Sequence, residues 1–398
     1  MSGPQIAILG GGIGGLATAA FLHKAGVSAT VYEQAPALQE VGAGLVVAPN
    51  IVRLLRRLGV LDELTHRAVR LDAGWEFRRW QDGQVLSVED LRDRCAELYG
   101  EHTYTAHRAH LLDAVKSAVP QSGVLLGKRC VRYRQHDGRA ELTFEDGEVV
   151  RPDFVIAADG IHSVVRRALV DAIPPSFSGI SAYRALVDAE KVSDFARRPA
   201  QTLWIGPGRH LVHYPISSGK LVNLVAFAPA GDYSVESWNA MATVEEFLGE
   251  FDGWDSRLLD LIRAANTPGR WALLDREPLE TWTDGTSVLL GDAAHPMFPF
   301  FGQGAAQAIE DAAVLATLIS DEPQDLEVVA LRYERIRLPR TTRLQRVSHG
   351  RSSINHLADG PEQVARDRSF NLIDPLVENA WIYGYDAEAD ARRPRVVE

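Results

Sequence analysis

A run of glycines sits where a short apolar segment gives way to a helical one: Gly10-Gly11-Gly12-Ile13-Gly14-Gly15. Residues 5–9 predict a buried strand, residues 13–25 a helix, and residues 28–33 a second strand. A β-α-β start around a Gly-x-Gly-x-x-Gly turn leaves few folds open. Gly10 makes the tight turn, Gly12 lets a pyrophosphate approach the helix N-terminus, and Gly15 lets helix and strand pack closely. Glu33 ends the second strand, where a carboxylate can accept both hydroxyls of an adenosine ribose. A Gly-rich turn beside a solvated glutamate is the plainer alternative.

A second constraint lies late in the chain. Gly291-Asp292-Ala293-Ala294-His295-Pro296 runs on through Phe300-Phe301-Gly302-Gln303-Gly304-Ala305. The aspartate can take a ribityl hydroxyl, and the glycines let backbone N–H groups come close to a flat ring edge. Together they point to a flavin with a substrate cavity beside it. Residues 287–290 predict the strand entering this segment, and residues 303–320 the helix leaving it.

At 398 residues the chain exceeds one compact core, so more than one domain is expected. A formal charge of −11 argues against non-specific binding to nucleic acid or an anionic membrane. Cys95 and Cys130 have neither metal-ligand spacing nor a disulfide framework, which fits a reducing cytoplasm. No Lys or Arg precedes the apolar run of residues 6–22, so it does not predict a secretory signal. No segment reaches the ~18 uninterrupted apolar residues of a membrane helix. Asp82-Gly83, Asp137-Gly138 and Asp146-Gly147 predict two-residue hairpin turns with positive φ. Asn50 predicts the N-cap of a helix over residues 50–58. Residues 181–229 are mostly β in pattern, and residues 326–351 helical. Nucleotide-type segments therefore lie on both sides of a β-rich insert, and a helical tail closes the chain.

Further candidates are single residues. Arg108 opens a helical stretch from which it can reach a pyrophosphate; a surface arginine is the alternative. Val131 follows Lys128-Arg129 in a β segment and can offer its backbone to an adenine edge. Asp159-Gly160 ends a buried strand and precedes a helical pattern, which predicts a strand-to-helix turn; a type I′ hairpin is the alternative. In His210-Leu211-Val212-His213-Tyr214-Pro215, period two puts His210, Val212 and Tyr214 on one face and Leu211 and His213 on the other. An aromatic-binding cavity wants an apolar floor with one phenol or imidazole, which the His210/Tyr214 face supplies. A core tyrosine with a satisfied hydroxyl is the alternative. No His, Cys, Asp or Glu group has metal spacing, and no metal is expected.

With these pieces in this order, the chain resembles the single-component, FAD-dependent aromatic hydroxylases, the group A flavoprotein monooxygenases. Gly10–Gly15 with Glu33, Asp159-Gly160, and Gly291-Asp292 through Gly304 carry the resemblance. Gly42-Ala43-Gly44-Leu45, Pro49-Asn50, Ala106-His107-Arg108, Val212-His213-Tyr214-Pro215 and Trp381-Ile382-Tyr383-Gly384-Tyr385-Asp386 are similar to the salicylate hydroxylase and 6-hydroxynicotinate 3-monooxygenase branch. The resemblance implies an α/β fold. A Rossmann-like, GR2-type FAD-binding domain would use residues 1–70, 100–175 and 280–322. An interleaved β-sheet substrate domain would use residues 71–99 and 176–279, with C-terminal helices over 323–398.

The resemblance also implies non-covalent FAD. Gly10, Gly12, Ile13, Gly14 and Gly15 would form its turn. Glu33 would bind the adenosine ribose, Arg108 the phosphates or ribityl, and Val131 the adenine. Asp159 would organise its loop, and Asp292 would bind ribityl or phosphate oxygens. The backbone of Gly304 and Ala305 would face the pyrimidine edge of the flavin. Pro299 would line the ring near the oxygen-reaction site, and Val46, Tyr214, Pro299 and Phe300 would line the substrate. The 6-hydroxynicotinate enzymes place histidines at the positions of Val46 and Phe300. The apolar residues here imply a more apolar phenolic or heteroaromatic, salicylate-like ring.

The implied reaction is ring hydroxylation with NADH or NADPH and O2 through a flavin C4a-hydroperoxide, with or without loss of a carboxylate. A phenol attacks better when partly deprotonated, so Tyr214 is the first candidate activator and His210 and His213 are the next. With a single dinucleotide fingerprint, NAD(P)H would bind transiently in a groove. The expected partners are a small aromatic substrate and O2, without nucleic acid or membrane, in a cytoplasmic monomer or homodimer. A flavin-dependent halogenase and a non-oxygenating flavin reductase are the alternatives. The Trp-x-Trp-x-Ile-Pro segment of the former is absent from the sequence.

Overall fold

The computed structural model describes residues 3–38, 42–136, 138–170, 174–231, 240–370 and 372–394. The central strands of its first sheet are short and apolar. Ile6–Leu9 and Phe154–Ala157 are buried at every position, the pattern of a parallel sheet covered on both faces. The strand order is Ser287–Leu289, Phe154–Ala157, Ile6–Leu9, Ala29–Glu33, Val124–Leu126, parallel throughout. The helices Ile13–Lys24 and Gly304–Asp321 pack on it and on each other. Small residues allow that approach: a Cβ added at Gly14 would lie 2.8 Å from Leu290 Cδ2 and 3.2 Å from Ala308 Cβ. Strand order reverses around Ile6–Leu9, so the turns leaving the carboxyl ends of the central strands open a crevice.

The second sheet has seven strands, in the order Gly269–Asp275, Ser176–Asp188, Leu221–Pro229, Arg209–Ile216, Ala200–Gly206, Gly74–Arg79, Val85–Glu89. Neighbours are antiparallel except Ala200–Gly206 beside Gly74–Arg79. Alternation sorts its side chains. Tyr183, Leu211 and Leu224 join Phe247, Phe251 and Leu258 of the helices Val244–Glu250 and Ser256–Arg263. Ala182, Val225 and Phe227 face the other way, toward Phe298 and Phe300. A small antiparallel sheet of Gly44–Val47, Tyr104–His107 and Val69–Arg70 lies between the larger ones. The tail is led by a 30-residue helix, Leu326–Asn355, which runs unbroken through Pro339.

Two local expectations need correction. Asn50 is not an N-cap: the helix is Pro49–Leu58, capped by Ala48, with Pro49 in its first turn. Proline's fixed φ and missing donor suit that place, and Asn50 is left free to reach inward. The Asp-Gly pairs do mark hairpins, as at Gly83 and Gly147. Their geometry is different, because only the glycine has positive φ and the aspartate does not. Asp137 lies outside the described residues. Asp159-Gly160 links the strand Phe154–Ala157 to the helix Val164–Leu169, a strand-to-helix turn.

Candidate flavin and substrate site

Three turns meet at the carboxyl edge of the parallel sheet: Gly10 to Gly12, Asp159-Gly160, and Gly291-Asp292. They line one cleft of about 990 Å³, together with Glu33, Arg108 and Val131. Gly10 has φ +97°, and a Cβ there would lie 2.3 Å from the Ala158 carbonyl oxygen. The turn therefore excludes any side chain. Gly12 has open space where its Cβ would be. It caps Ile13–Lys24 without a side chain, so the first N–H groups of that helix stay available to an anion. Ile13, Gly14 and Gly15 do not line the cleft. The Ile13 side chain is in the core, and a Cβ at Gly15 would lie 2.0 Å from the Gly10 oxygen. These residues shape the turn from behind.

Glu33 Oε2 accepts from Gly11 N at 2.6 Å and Oε1 from Ala35 N at 2.7 Å. Each oxygen keeps a second lone pair, so the carboxylate is oriented without being saturated. Asp159 Oδ2 accepts from Val164 N at 2.8 Å. Its Oδ1 is buried at the cleft with no partner among the described residues. Burial pushes this carboxyl above its ordinary value, against the pull of Ser163 and the Val164 N–H. A buried orphan oxygen calls for a donor from outside the protein, and a ligand hydroxyl supplies one. Asp292 is exposed on the same cleft. Arg108 is fixed at the base of its helix by its N–H, which donates to Ala43 O at 2.8 Å. A glycine cradle, an oriented carboxylate, an orphan acceptor and a free helix start fit a dinucleotide with a polyol chain.

The Gly291-Asp292 turn is held by a buried ionic network. Asp311 Oδ2 accepts from Gly291 N at 3.0 Å and from His295 Nε2 at 2.6 Å, and its Oδ1 accepts from Arg337 Nε at 2.6 Å. Arg337 also donates to Glu310 Oε2 at 2.7 Å, as does Arg340 at 2.8 Å. Asn50 Nδ2 bridges Glu310 Oε1 at 2.7 Å and Gln303 Oε1 at 3.0 Å. Asp311, Glu310 and Arg337 are fully buried. Burial alone would raise the Asp311 carboxyl, but His295 and Arg337 outweigh it and hold it down to about 2. Two carboxylates thus face two guanidinium groups, and the desolvated charge is compensated.

The network also sets the start of Gly304–Asp321. Gly304 and Ala305 are half-buried in its first turn, with N–H groups that have no intrahelical acceptor. Pro299 is exposed in the short turn Pro299–Phe301 before it. Val46 packs across from Gly302, whose added Cβ would lie 3.6 Å away. Val46 lines a separate cavity of about 20 Å³ with Trp75, Gln201 and Phe301, room for about one water.

The second sheet supplies the other wall. Tyr214 and Asn223 are directly paired across strands, and Arg184 pairs with Val225 two residues further on. All face the flavin side. Tyr214 is 5% exposed, and a Cβ at Gly44 would lie 2.6 Å from its ring. Asn223 Oδ1 accepts from Gly44 N at 2.8 Å. That bond turns Nδ2 the other way, where it is buried with no partner among the described residues. Arg184 lies over the Trp271 ring at 4.7 Å and lines the cleft. Burial pushes the Tyr214 phenol up, only partly opposed by Arg184. Tyr214 is therefore a donor at neutral pH.

His210 lies 4.6 Å from Phe227 and 5.0 Å from Phe300, ring to ring. The Phe300 side chain is buried in this aromatic cluster. His213 is not part of this face and cannot activate a ring there. It points into the outer layer, where its Nδ1 accepts from Trp204 Nε1 at 3.3 Å beside Phe195. Burial lowers it to about 3, so it stays a neutral packing residue. Sequence reasoning missed Asp311, Arg337, Arg184 and Asn223. A lone arginine in the apolar strand around Tyr183-Arg184-Ala185-Leu186 was the one available signal.

Residues 4–348 match a protein family described as an FAD binding domain. A 3-amino-4-hydroxybenzoate 2-monooxygenase of Streptomyces platensis is 41% identical over 384 residues, covering 96% of each chain. The 6-hydroxynicotinate 3-monooxygenase of Bordetella bronchiseptica is 34% identical and covers 97% of this chain and 96% of its own. Among solved structures, a salicylate hydroxylase substrate complex superposes with a TM-score of 0.83 at 28% identity, over 100% of both chains.

Proposed function

The chain belongs to the FAD-dependent aromatic hydroxylases, the group A flavoprotein monooxygenases, and from that premise we propose that it hydroxylates a small phenolic ring bearing a carboxylate, using NAD(P)H and O2. A hydroxybenzoate of the kind named in its 3-amino-4-hydroxybenzoate relatives is the favoured class. Bound FAD supplies hydride acceptance and delivery of one oxygen atom of O2 to the ring. The protein's part is binding, orientation, water exclusion and proton handling.

Glu33 takes the adenosine ribose, Val131 the adenine edge and Arg108 the phosphates. Asp159 Oδ1 and Asp292 take hydroxyls of the linking chain. The N–H groups of Gly304 and Ala305 would face the pyrimidine edge of a bound flavin, where the helix dipole favours negative charge. Residues 1–70, 100–175 and 280–322 form the cofactor domain, residues 71–99 and 176–279 the substrate domain, and residues 323–398 a C-terminal helical region.

The observation that carries the substrate reading is the convergence of Tyr214, the unpartnered Asn223 Nδ2 and Arg184 on one sheet face. Two neutral donors and a cation suit a ring oxygen and a carboxylate. Val46 and Phe300 put apolar groups at those two positions, which favours a benzoate over a hydroxynicotinate. Burial keeps the Tyr214 phenol protonated, so it has no phenolate to accept a proton and instead donates to orient the ring hydroxyl. Neutral His210 is the base. No helix of the described residues is long and apolar enough to cross a membrane, and cytoplasmic placement is part of this proposal.

The test is a screen of the purified yellow protein with 3-amino-4-hydroxybenzoate, salicylate and 6-hydroxynicotinate. A benzoate should accelerate NADH or NADPH oxidation and gain one oxygen atom by mass. Pyridine-nucleotide oxidation that no ring stimulates, with no oxygenated product, would return the reductase reading. Chloride-dependent ring chlorination would return the halogenase.

A further inference from the structure

Two histidines from distant parts of the chain meet behind the substrate face. His210 Nδ1 and His356 Nε2 lie 2.6 Å apart, with ring centroids separated by 4.9 Å. His356 caps the C-terminus of Leu326–Asn355, and its carbonyl accepts from Gly208 N at 3.0 Å. That bond ties the helix end to the turn just before His210. His210 is 2% exposed, between Phe227 and Phe300, whereas His356 is only half-buried. The pair spans from the aromatic lining to the outer layer of the protein.

A bond between two ring nitrogens needs one N–H and one lone pair. The two nitrogens of an imidazole point nearly opposite ways. With Nδ1 on His356, His210 Nε2 points back among Phe227 and Phe300. The charged groups facing the pair are cationic: Arg351 of the same long helix acts on His210, and Arg209 acts on His356. Arg209 is itself paired with Glu250 at 3.0 Å. Burial first, and then these neighbours, hold His356 down to about 4 and His210 well below its ordinary value. Both rings are neutral at pH 7. Each can take a proton on one nitrogen while releasing one from the other.

We propose, on the substrate reading above, that His210 and His356 form a proton relay from the substrate's ring hydroxyl to solvent, with His356 acting through His210. The ring O–H bond breaks and its proton goes to His210 Nε2, while the electron pair stays on the ring oxygen. The His210 Nδ1 proton passes to His356 Nε2, and the His356 Nδ1 proton passes to water. Both rings remain neutral in the opposite tautomer. The reverse passage restores them when the product oxygen is reprotonated.

The experiment uses FAD-loaded full-length His356→Gln, with 3-amino-4-hydroxybenzoate and salicylate as probes. The hydroxylation kcat at pH 7 is expected to fall at least about tenfold, below the ~10²–10⁴ of a directly acting acid–base group. KM and FAD content stay unchanged. The residual rate should climb with pH, as hydroxide takes over the deprotonation, while wild type stays level between about pH 7 and 9. Added imidazole should restore His356→Ala. If wild type hydroxylates a probe and His356→Gln keeps its kcat and a level pH profile, the relay is wrong and the substrate reading stands. FAD-replete His356→Ala that imidazole does not rescue also overturns the relay. If wild type hydroxylates neither probe, the substrate reading fails and the relay fails with it.

Discussion

Asp311→Asn is the most searching perturbation of the cofactor site, because it changes charge without changing shape. Asp311 holds Gly291 N, His295 and Arg337 at 3.0, 2.6 and 2.6 Å in full burial. In the variant one oxygen becomes an amide N–H₂. If that group takes the Oδ2 position, it meets the Gly291 N–H, and two donors face each other without an acceptor. An orphaned buried donor costs about 1–3 kcal/mol. The cluster also loses one of two carboxylates against two guanidinium groups, and breaking a buried pair costs about 3–5 kcal/mol in total. With ~2.1 cal/mol/K of unfolding entropy per residue, a chain of 398 residues shifts by roughly 1.2 °C per kcal/mol, so the melting midpoint should fall by about 4–6 °C. FAD should dissociate more readily, because Gly291-Asp292 loses its tether. Thermal melts with flavin fluorescence released on dilution give both readouts. A shift under about 2 °C with flavin fully retained would refute the tethering argument. The wild type offers a check on sign. The folded carboxyl is held down to about 2, so its stabilisation is present above the unfolded value near ~3.9 and is lost as pH falls through about 2. Asp311→Asn should flatten the stability curve in that window.

Other substitutions separate binding from chemistry. Tyr214→Phe should lower hydroxylation about tenfold or more, with FAD content normal; unchanged turnover would remove Tyr214 from the substrate face. Arg184→Met should raise KM for a carboxylate-bearing ring about tenfold to a hundredfold, with a smaller effect on a phenol lacking the carboxylate, since a charged hydrogen bond is worth about 1.5–3 kcal/mol. Equal effects on both rings would assign Arg184 elsewhere. Burial pushes the Glu89 carboxyl up to about 8, with Arg351 opposing and Asp374 adding to the rise. Its stabilising contribution is full below the unfolded pKa and is lost as pH rises through about 8. Glu89→Gln should therefore make thermal stability less dependent on pH between about 5 and 9, and an unchanged slope would place the titration on another group.

The glycine turns are legible in sequence because a missing Cβ is a steric demand tied to residue type and spacing, as at Gly10 against the Ala158 carbonyl. Period two separates His213 from Tyr214, but does not say which face meets the cleft. That depends on which layer Trp204 and Phe195 occupy. Arg337 stands among Arg332, Arg335, Arg340 and Arg343, and only the packing of Leu326–Asn355 on Gly304–Asp321 decides which guanidinium is buried. His210 and His356 are 146 positions apart, beyond any local pattern. Asn50 misleads for a related reason: its side chain suits a cap, while Pro49 already fixes the helix start and frees Asn50 for Gln303 and Glu310.

The cofactor cleft takes one turn from near residue 10, one from residue 159 and one from residue 292, and the last is fastened by residues 311 and 337. The three walls come from stretches that are synthesised far apart in time, and the third follows the second by more than 100 residues. A chain cut before Arg337 holds the glycine turn but lacks the clamp on Gly291. Ligand that binds the folded state alone adds its binding energy to that state. The energy of flavin binding is therefore tied to having all three turns and the Asp311–Arg337 clamp in place together.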